Sequence, residues 1–285
     1  MKRKYLITFI IFLLAAIILI LVKNNPKMKS TISTVREEDG YYISDYGKVS
    51  IEEWGKIDLT KTRFEYVEDF LKEVDYYVKT ISKYIDKEDW IEPYKEMHGD
   101  DFKFIINFKF GYGGSHVFGS YDSFEHLIPE VTLNLEHFEM DSAPIAHEIT
   151  HLIAPLYSTL SLREGLASLV QDEIGKNPAV FNFGEPIIPL TKEYLTYNNF
   201  DMNEILDEKN IIKYNNAEIK GLESRRTFYI LSYSFSKYLV DEYGIEKFME
   251  IYDAEDSYSK WMEVYGKSLE ELQNNWIDYV MEYEE

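Results

Sequence analysis

A segment in the middle of the chain, residues 145–156, restricts the possible folds more than any other part of the sequence. Its apolar residues recur at the spacing of one face of an α-helix, at Ile145, Ile149, Leu152, Ile153 and Leu156. The two histidines of the segment, His147 and His151, lie about 180° around the predicted helix from this apolar face. Histidines that serve only to fill a core are expected within the apolar face, so the pattern indicates a different role for these two.

Residues 147–151 read HEITH and fit the HExxH pattern of zinc metallopeptidases. Histidines four residues apart lie one helical turn apart, so both imidazoles can bind one metal ion. Glu148 lies about 100° further around the helix, where its carboxylate can hydrogen-bond a water molecule at the metal without binding the metal itself. We expect Asp141 or Ser142 to cap the start of this helix. The sequence therefore predicts a metal site on the helix.

Two histidines leave zinc short of a protein ligand, and Glu164 is the best candidate for the third. It lies near the start of a second amphipathic segment, residues 161–175, and opposite the apolar face of that predicted helix. Gly165, Ala167 and Ser168 beside it are small, which would let the two helices approach closely. The alternative is a capping box, in which Ser161 and Glu164 would satisfy the start of their own helix. The remaining histidines, expected to be structural or solvated, are His98, His116, His126 and His137.

These residues resemble a known pattern. His147, Glu148, His151 and the run EGLA at 164–167 are similar to the HExxH…EGLA motif of the gluzincins, and within them of the bacterial peptidase-MA-like proteins. The resemblance covers roughly residues 60–285 and includes the segments 229–252 and 265–280. One departure is Ser161, since members of that family often carry Trp three residues before the glutamate.

The resemblance implies an α+β, zincin-like fold with a small mixed sheet, an edge strand over the metal-binding helix and a mostly helical C-terminal half. It implies one Zn²⁺ per chain, held by His147, His151 and Glu164, and it makes Glu148 the general base and then the general acid of peptide hydrolysis. Tyr229 or Tyr233 would stabilise the oxyanion, although packing is at least as good an explanation for either tyrosine.

The same resemblance suggests how a peptide or protein substrate binds. Strand 131–138 is expected to add the main chain of the substrate to the sheet through Leu133, Asn134 and Leu135. Elsewhere, the sequence predicts a hairpin around 41–50, a helix over 62–86, a strand over 101–110 and a glycine-rich loop or hairpin over 111–120. We therefore assign residues 61–285 to one metallopeptidase domain, with helix and sheet over 61–142 and helices over 143–285.

The N-terminus contains an uncharged apolar run of eighteen residues, Tyr5–Val22, preceded by Lys2, Arg3 and Lys4. A helix of this length spans roughly 27 Å, close to the thickness of the hydrocarbon core of a bilayer. The run lacks an obvious cleavage site, which favours an uncleaved anchor over a cleaved signal peptide. The sequence thus predicts a transmembrane anchor over 1–22, a tether over 23–60, and a single-pass protein of the cell membrane with its catalytic domain outside the cytoplasm.

Composition excludes several other classes of function. The chain has no cysteine, which excludes disulfides, iron–sulfur clusters and a cysteine nucleophile. Its formal net charge of −21 argues against nucleic acid as a partner, because phosphate contacts need a basic surface. Two alternatives to an enzyme remain open: a catalytically silent, zinc-containing surface protein that binds a peptide or a cell-wall component, and a metal-free scaffold.

Overall fold

A computed structural model of the chain describes residues 34–111, 114–118, 128–155, 159–178, 182, 184–197, 224–254 and 257–284. Within these residues, all strands lie before position 135, and the regular structure after that position is helical. The small sheet is mixed, with parallel and antiparallel pairs. The predicted α+β class, with a mixed sheet followed by helices, is therefore confirmed.

One six-stranded sheet contains every strand of the described residues, in the spatial order β1-β2-β3-β4-β6-β5. The strands are β1 (Arg36–Glu38), β2 (Tyr41–Ile43), β3 (Gly47–Ser50), β4 (Phe104–Lys109), β5 (His116–Phe118) and β6 (Glu130–Asn134). The first three form antiparallel pairs, β4 runs parallel to both β3 and β6, and β5 pairs antiparallel with β6 at the edge. The predicted hairpin at 41–50 is thus formed by β2 and β3.

One face of the sheet carries the core. In β4 the buried residues alternate with more exposed ones, and they meet buried partners on β6, as in the pairs Ile106–Val131 and Phe108–Leu133. Besides a short 3-10 helix, Leu59–Lys61, the described part of this half of the chain contains four α-helices: α1 (Ile51–Trp54), α2 (Val67–Tyr84), α3 (Glu92–His98) and α4 (Leu135–Glu139). An aromatic cluster joins the sheet to α1, α2 and α4, with ring centroids 4.8–6.4 Å apart, and consists of Trp54, Phe64, Phe70, Phe108 and Phe138.

The described residues of the second half of the chain are mainly helical and position the HEITH segment. Its helices are α5 (Ile145–Ile153), α6 (Leu160–Glu173), α7 (Ile187–Tyr197), α8 (Ser224–Tyr243), α9 (Ile245–Tyr252), α10 (Ser257–Tyr265) and α11 (Leu269–Glu282). Helix α5 contacts β5, β6, α2 and α6, and α8 packs extensively on α6. Gly244, with φ of +88°, separates α8 from α9 because the left-handed region suits glycine. Helix α5 is therefore enclosed on several sides.

The sheet corrects two predictions from the sequence. Strands β1–β3 lie within the segment assigned to a tether, residues 23–60, so the folded part of the chain begins well before residue 61. Strand β6 ends at Asn134, and Leu135 already belongs to α4. Strand β4 pairs with β6 over Glu130–Asn134 and β5 pairs with it over Glu130–Thr132, so β6 is an inner strand of the described sheet and not the edge strand that we expected. Alternation of apolar residues does not distinguish an edge strand from an inner one.

The predicted location in a membrane is also corrected. Among the described residues, no helix combines the length and the apolar character that crossing a bilayer requires. The longest, α8 with 20 residues, carries charged side chains such as Lys237 and Asp241. This finding contradicts the prediction of a single-pass membrane protein. The proposed anchor over 1–22 lies outside the described residues.

Candidate metal centre

Helix α5, which carries the HEITH residues, begins differently from the prediction. Pro144 occupies its N-cap position and makes no side-chain capping bond. Asp141 has φ of +55° and forms an ion pair with Arg63, and the Ser142 hydroxyl donates to the carbonyl oxygen of His137 at 3.1 Å. The prediction that Asp141 or Ser142 caps this helix is therefore wrong, because other partners engage both side chains.

Helix α6, which carries Glu164, is capped by Thr159. The Thr159 hydroxyl accepts a hydrogen bond from the backbone N–H of Leu162 at 3.4 Å, so Thr159 and not Ser161 is the N-cap residue. A capping box between Ser161 and Glu164 is thereby excluded. The Glu164 carboxylate is left to interact with another part of the protein, and it faces α5.

The small residue after Glu164 has a different role from the predicted one. A Cβ atom added at Gly165 would lie 2.2 Å from Oγ of Ser236 and 2.5 Å from the carbonyl oxygen of Ser232. Both serines belong to α8. Gly165 therefore permits close packing of α6 on α8. We expected it to permit close packing of α6 on α5, but the atoms nearest to it belong to α8.

The three predicted metal ligands converge. Nε2 of His147 lies 3.0 Å from Nε2 of His151, and Oε2 of Glu164 lies 3.2 Å from the first nitrogen and 3.3 Å from the second. His147 and Glu164 are buried, and His151 is partly buried. The three atoms form a compact triangle that joins α5 to α6. This group can hold a metal ion.

The size of the triangle can be compared with that of a tetrahedral zinc site. With zinc–ligand bonds of about 2.0–2.1 Å, tetrahedral angles place the ligand atoms roughly 3.3–3.4 Å apart. The observed separations of 3.0–3.3 Å are close to that value. Imidazole nitrogens and a carboxylate oxygen are also the donors that zinc accepts in catalytic sites. The residues present therefore fit the ion.

The charge state of Glu164 suits a ligand. Burial alone would raise the pKa of its carboxyl, but the charge of His151 and hydrogen bonds from both histidines outweigh burial and hold the pKa well below its ordinary value. The second oxygen, Oε1, accepts from Nη2 of Arg163 at 3.3 Å and from its Nε at 3.4 Å. Arg163 thus engages one oxygen while the other faces the histidines.

Glu148, the predicted general base, is buried beside the triangle and only 3% exposed. Burial raises the pKa of its carboxyl to about 7, the charge of His147 opposes this, and the charge of Glu164 adds to it. Among the described residues, its carboxylate is affected by His147, Glu164 and Arg163 through charge rather than through hydrogen bonds. A carboxyl group with a pKa near neutrality can both accept and return a proton at physiological pH.

The structure separates the two candidate tyrosines. The ring centroid of Tyr229 lies 6.5 Å from that of His147, so Tyr229 borders the triangle. The hydroxyl of Tyr233 instead donates to Oδ2 of Asp172 at 2.6 Å, and burial together with this bond raises the pKa of Tyr233. The structure therefore engages Tyr233 in a bond between α8 and α6, and only Tyr229 lies close to the ligands.

Two relevant features were not anticipated from the sequence. Residues His116–Phe118, within the segment predicted as a glycine-rich loop or hairpin, form the edge strand β5, which contacts helix α5. The backbone N–H of His147 donates to Oε1 of Gln171 on α6 at 3.0 Å. Alternation over three residues is too short a signal to predict a strand, and no sequence pattern links Gln171 to the helix before it.

The other described histidines do not join the cluster. His116 is exposed on β5, with Nδ1 3.3 Å from the carbonyl oxygen of Gly114, and the ring of His98 stacks on Phe102. His137 lies on α4, and His126 lies outside the described residues. Within the described part of the chain, the group of His147, His151 and Glu164 is the one set of three such side chains arranged to hold a metal ion.

Comparison with known proteins adds no relative. The sequence matches no family model and no curated protein, and the fold matches no solved structure. The resemblance to the gluzincins thus rests on the residues of the motif and stays a prediction. Any inference about function therefore depends on the geometry of the site.

Proposed function

We propose that this chain is a zinc-dependent metallopeptidase of the gluzincin type with a zincin-like arrangement of sheet and helix. One observation carries the proposal: His147, His151 and Glu164 present three ligand atoms 3.0–3.3 Å apart, and Glu148 is buried next to them on the same helix as the two histidines. The four residues provide three protein ligands and one separate carboxylate, which is the composition of a catalytic zinc site.

The ligands define what the ion could do. His147 and His151 would bind through Nε2 and Glu164 through Oε2, which leaves one position of a tetrahedron for water or substrate. When bound in such a site, zinc polarises a carbonyl group and lowers the pKa of water towards neutrality. The carboxylate of Glu164 would partly neutralise the charge of the ion, and Arg163 would hold the oxygen of Glu164 that does not face the histidines.

Glu148 supplies the proton transfer. As general base its carboxylate would take a proton from the attacking water, and as general acid it would give that proton to the leaving amine. In the metal-free site, burial raises the pKa of this carboxyl above its ordinary value and the charge of His147 opposes the rise. Tyr229, which borders His147, would donate a hydrogen bond to the oxyanion that forms on the carbonyl oxygen.

The edge strand β5 replaces β6 as the segment that would bind the substrate. Among the described strands, β5 pairs with β6 alone, so it is the edge strand of the part of the sheet that the structure describes. A peptide in extended conformation can add there through main-chain hydrogen bonds. Because β5 contacts helix α5, such a peptide would run past the metal ligands. This arrangement supports a peptide or protein as the substrate.

The deciding experiment is hydrolysis of a mixed peptide library by the wild type and by Glu148→Gln, each with measured zinc content. We expect the wild type to cleave peptides and to lose activity with a chelator, while Glu148→Gln keeps its zinc and loses nearly all activity. Glu270→Gln, an exposed position on α11, is the matched control and should remain active. Full activity of Glu148→Gln would refute the mechanism. Stoichiometric zinc without any cleavage by the wild type would favour a catalytically silent zinc protein.

A further inference from the structure

Gln171 connects the two helices that carry the metal ligands. Its side chain is buried, with 1% exposed. Oε1 accepts a hydrogen bond from the backbone N–H of His147 at 3.0 Å, and Nε2 donates to the carbonyl oxygen of Asn177 at 2.8 Å. Both ends of the amide are therefore satisfied, and one of them is bound to the residue that supplies a ligand.

The bond to His147 satisfies a group that the helix itself cannot. The first backbone N–H groups of a helix have no partner within it and are usually satisfied by a side chain at the N-cap. In α5 that position is Pro144, which makes no such bond. Gln171 takes over this function from a different helix. It therefore fixes the start of α5 relative to α6.

The position of Gln171 along α6 makes this bond important for the metal site. Gln171 lies on the same helix as Glu164, two turns further on. A bond from α6 to the backbone of His147 thus sets how far the imidazole lies from the Glu164 carboxylate. The second ring nitrogen of His151, Nδ1, is buried without a hydrogen-bond partner among the described residues. The placement of that ring consequently depends on where α5 itself lies.

The surroundings of Gln171 are built to hold it. A Cβ atom at Gly175 would lie 2.3 Å from the side-chain Nε2 of Gln171 and 2.4 Å from the main-chain carbonyl oxygen of Gln171. Glycine at position 175 therefore leaves the space that the Gln171 side-chain amide occupies. Asn177 is held in turn, since Nη1 of Arg63 donates to its Oδ1 at 3.0 Å and its Nδ2 donates to the carbonyl oxygen of Ala143 at 3.4 Å. The amide is fixed from both sides.

From this geometry we infer that Gln171 is a positioning residue for the metal centre, acting through the backbone of His147 to hold it at ligand distance from Glu164. The inference rests on the metal site of the proposed function. Loss of the bond should let the start of α5 shift, which separates the ligand atoms before zinc binds. Loss of a residue that orients a ligand typically weakens metal binding about 10- to 100-fold.

A matched control is available at the other end of the same helix. The hydroxyl of Tyr252 donates to the carbonyl oxygen of Ala154 at 2.7 Å, just after α5 ends. Gln171→Leu removes two buried hydrogen bonds, to the backbone of His147 and of Asn177, and Tyr252→Phe removes one to the backbone of Ala154, so the first should lower stability more. Only the first removes a bond to a residue that binds the metal. Gln171→Glu keeps an oxygen acceptor for the N–H of His147, and its carboxyl group, when protonated, keeps a donor for the carbonyl oxygen of Asn177.

The test is zinc affinity of the full-length variants, measured by competition with a chromophoric chelator, together with urea unfolding of the metal-free proteins. We expect Gln171→Leu to weaken zinc binding about tenfold or more, Tyr252→Phe to change it less than about twofold, and Gln171→Glu to recover most of the loss. Wild-type affinity in Gln171→Leu, or an equal loss in Tyr252→Phe, overturns the inference. Should Gln171→Leu fail to fold, Gln171→Met removes the same bond to His147 with an unbranched side chain: zinc binding about tenfold weaker supports the inference, and wild-type affinity overturns it. A wild type that binds no zinc refutes the proposed function instead, so the two failures are distinguishable.

Discussion

Replacement of Gly165 by alanine tests how closely α6 must pack on α8 for the metal site to form. The added Cβ would lie 2.2 Å from Oγ of Ser236, 2.5 Å from the carbonyl oxygen of Ser232 and 3.0 Å from its carbonyl carbon. The serine hydroxyl can rotate away, but the carbonyl group belongs to the backbone of α8. An ordinary contact would require α6 and α8 to separate by roughly an ångström. Glu164, the neighbouring residue, would move with α6.

Two opposing effects determine how far Gly165→Ala changes the free energy of unfolding. Alanine is favoured over glycine in a helix by about 1 kcal/mol, which would stabilise the variant. Forcing an extra methyl group into a packed interface costs about 1–3 kcal/mol, and the upper part of that range applies where the obstacle is backbone. The steric cost is therefore the larger one, and we expect a net loss of about 1–2 kcal/mol in the free energy of unfolding. For a protein of this size that corresponds to a Tm lower by about 2–6 °C.

Urea unfolding and thermal unfolding of the metal-free protein measure the loss of stability, and chelator competition measures zinc affinity. Gly55→Ala is the control, because Gly55 has φ of −65° and a Cβ there would meet only carbonyl oxygens of its own turn, at 3.2 and 3.4 Å. That substitution should change stability by less than about 0.5 kcal/mol. If Gly165→Ala were as stable as the wild type, or more stable by the full helix-propensity gain, the packing argument would be wrong.

Two further predictions separate catalysis from structure. Tyr229→Phe should lower kcat at unchanged zinc content, as steady-state kinetics can show. Tyr233→Phe should leave kcat nearly unchanged. Urea unfolding should show that it lowers the free energy of unfolding by about 1 kcal/mol, because its hydrogen bond to Asp172 is lost. Zinc at about 100 times its Kd should raise the stability of the wild type by about 2.7 kcal/mol, and His151→Ala should abolish this gain in a thermal-shift assay. A gain of the same size in His151→Ala would mean that the ion binds elsewhere.

The convergence of the side chains that could hold a metal ion could be predicted in part, because the placement of two of the three is local. His147 and His151 lie one turn apart on any helix, so the HEITH pattern and its apolar face were enough to place two ligands together. Glu164 required more, since its carboxylate could equally have capped α6. The structure decides between these options through Thr159, whose side chain occupies the N-cap and leaves Glu164 to reach α5.

The features that the sequence could not predict all depend on contacts between distant segments. Gly165 faces α8 and not α5, which only the packing of the three helices determines. The bond from His147 to Gln171 joins residues on different helices, and nothing in the intervening sequence marks it. Strand β6 lies inside the sheet because β4 pairs with it on one side and β5 on the other. Among the described strands, β5 is therefore at the edge. Local periodicity carries no information about such neighbours.

The burial of Glu148 argues against a purely structural role for the cluster, and its cost can be measured. A shift of the pKa from 4.5 to about 7 disfavours the charged carboxylate in the folded state by about 3 kcal/mol, since one unit corresponds to about 1.36 kcal/mol. For an acid whose pKa is raised on folding, the penalty is absent below about pH 4.5, grows as pH rises and is complete above about pH 7.

Glu148→Gln should therefore stabilise the metal-free protein by up to about 3 kcal/mol at pH 7.5 and by little at pH 4, as urea unfolding at the two values would reveal. Equal stabilities at pH 7.5 would show that Glu148 is not penalised by its surroundings. A core residue that serves packing alone has no reason to retain such a cost, whereas a general base beside a metal site does.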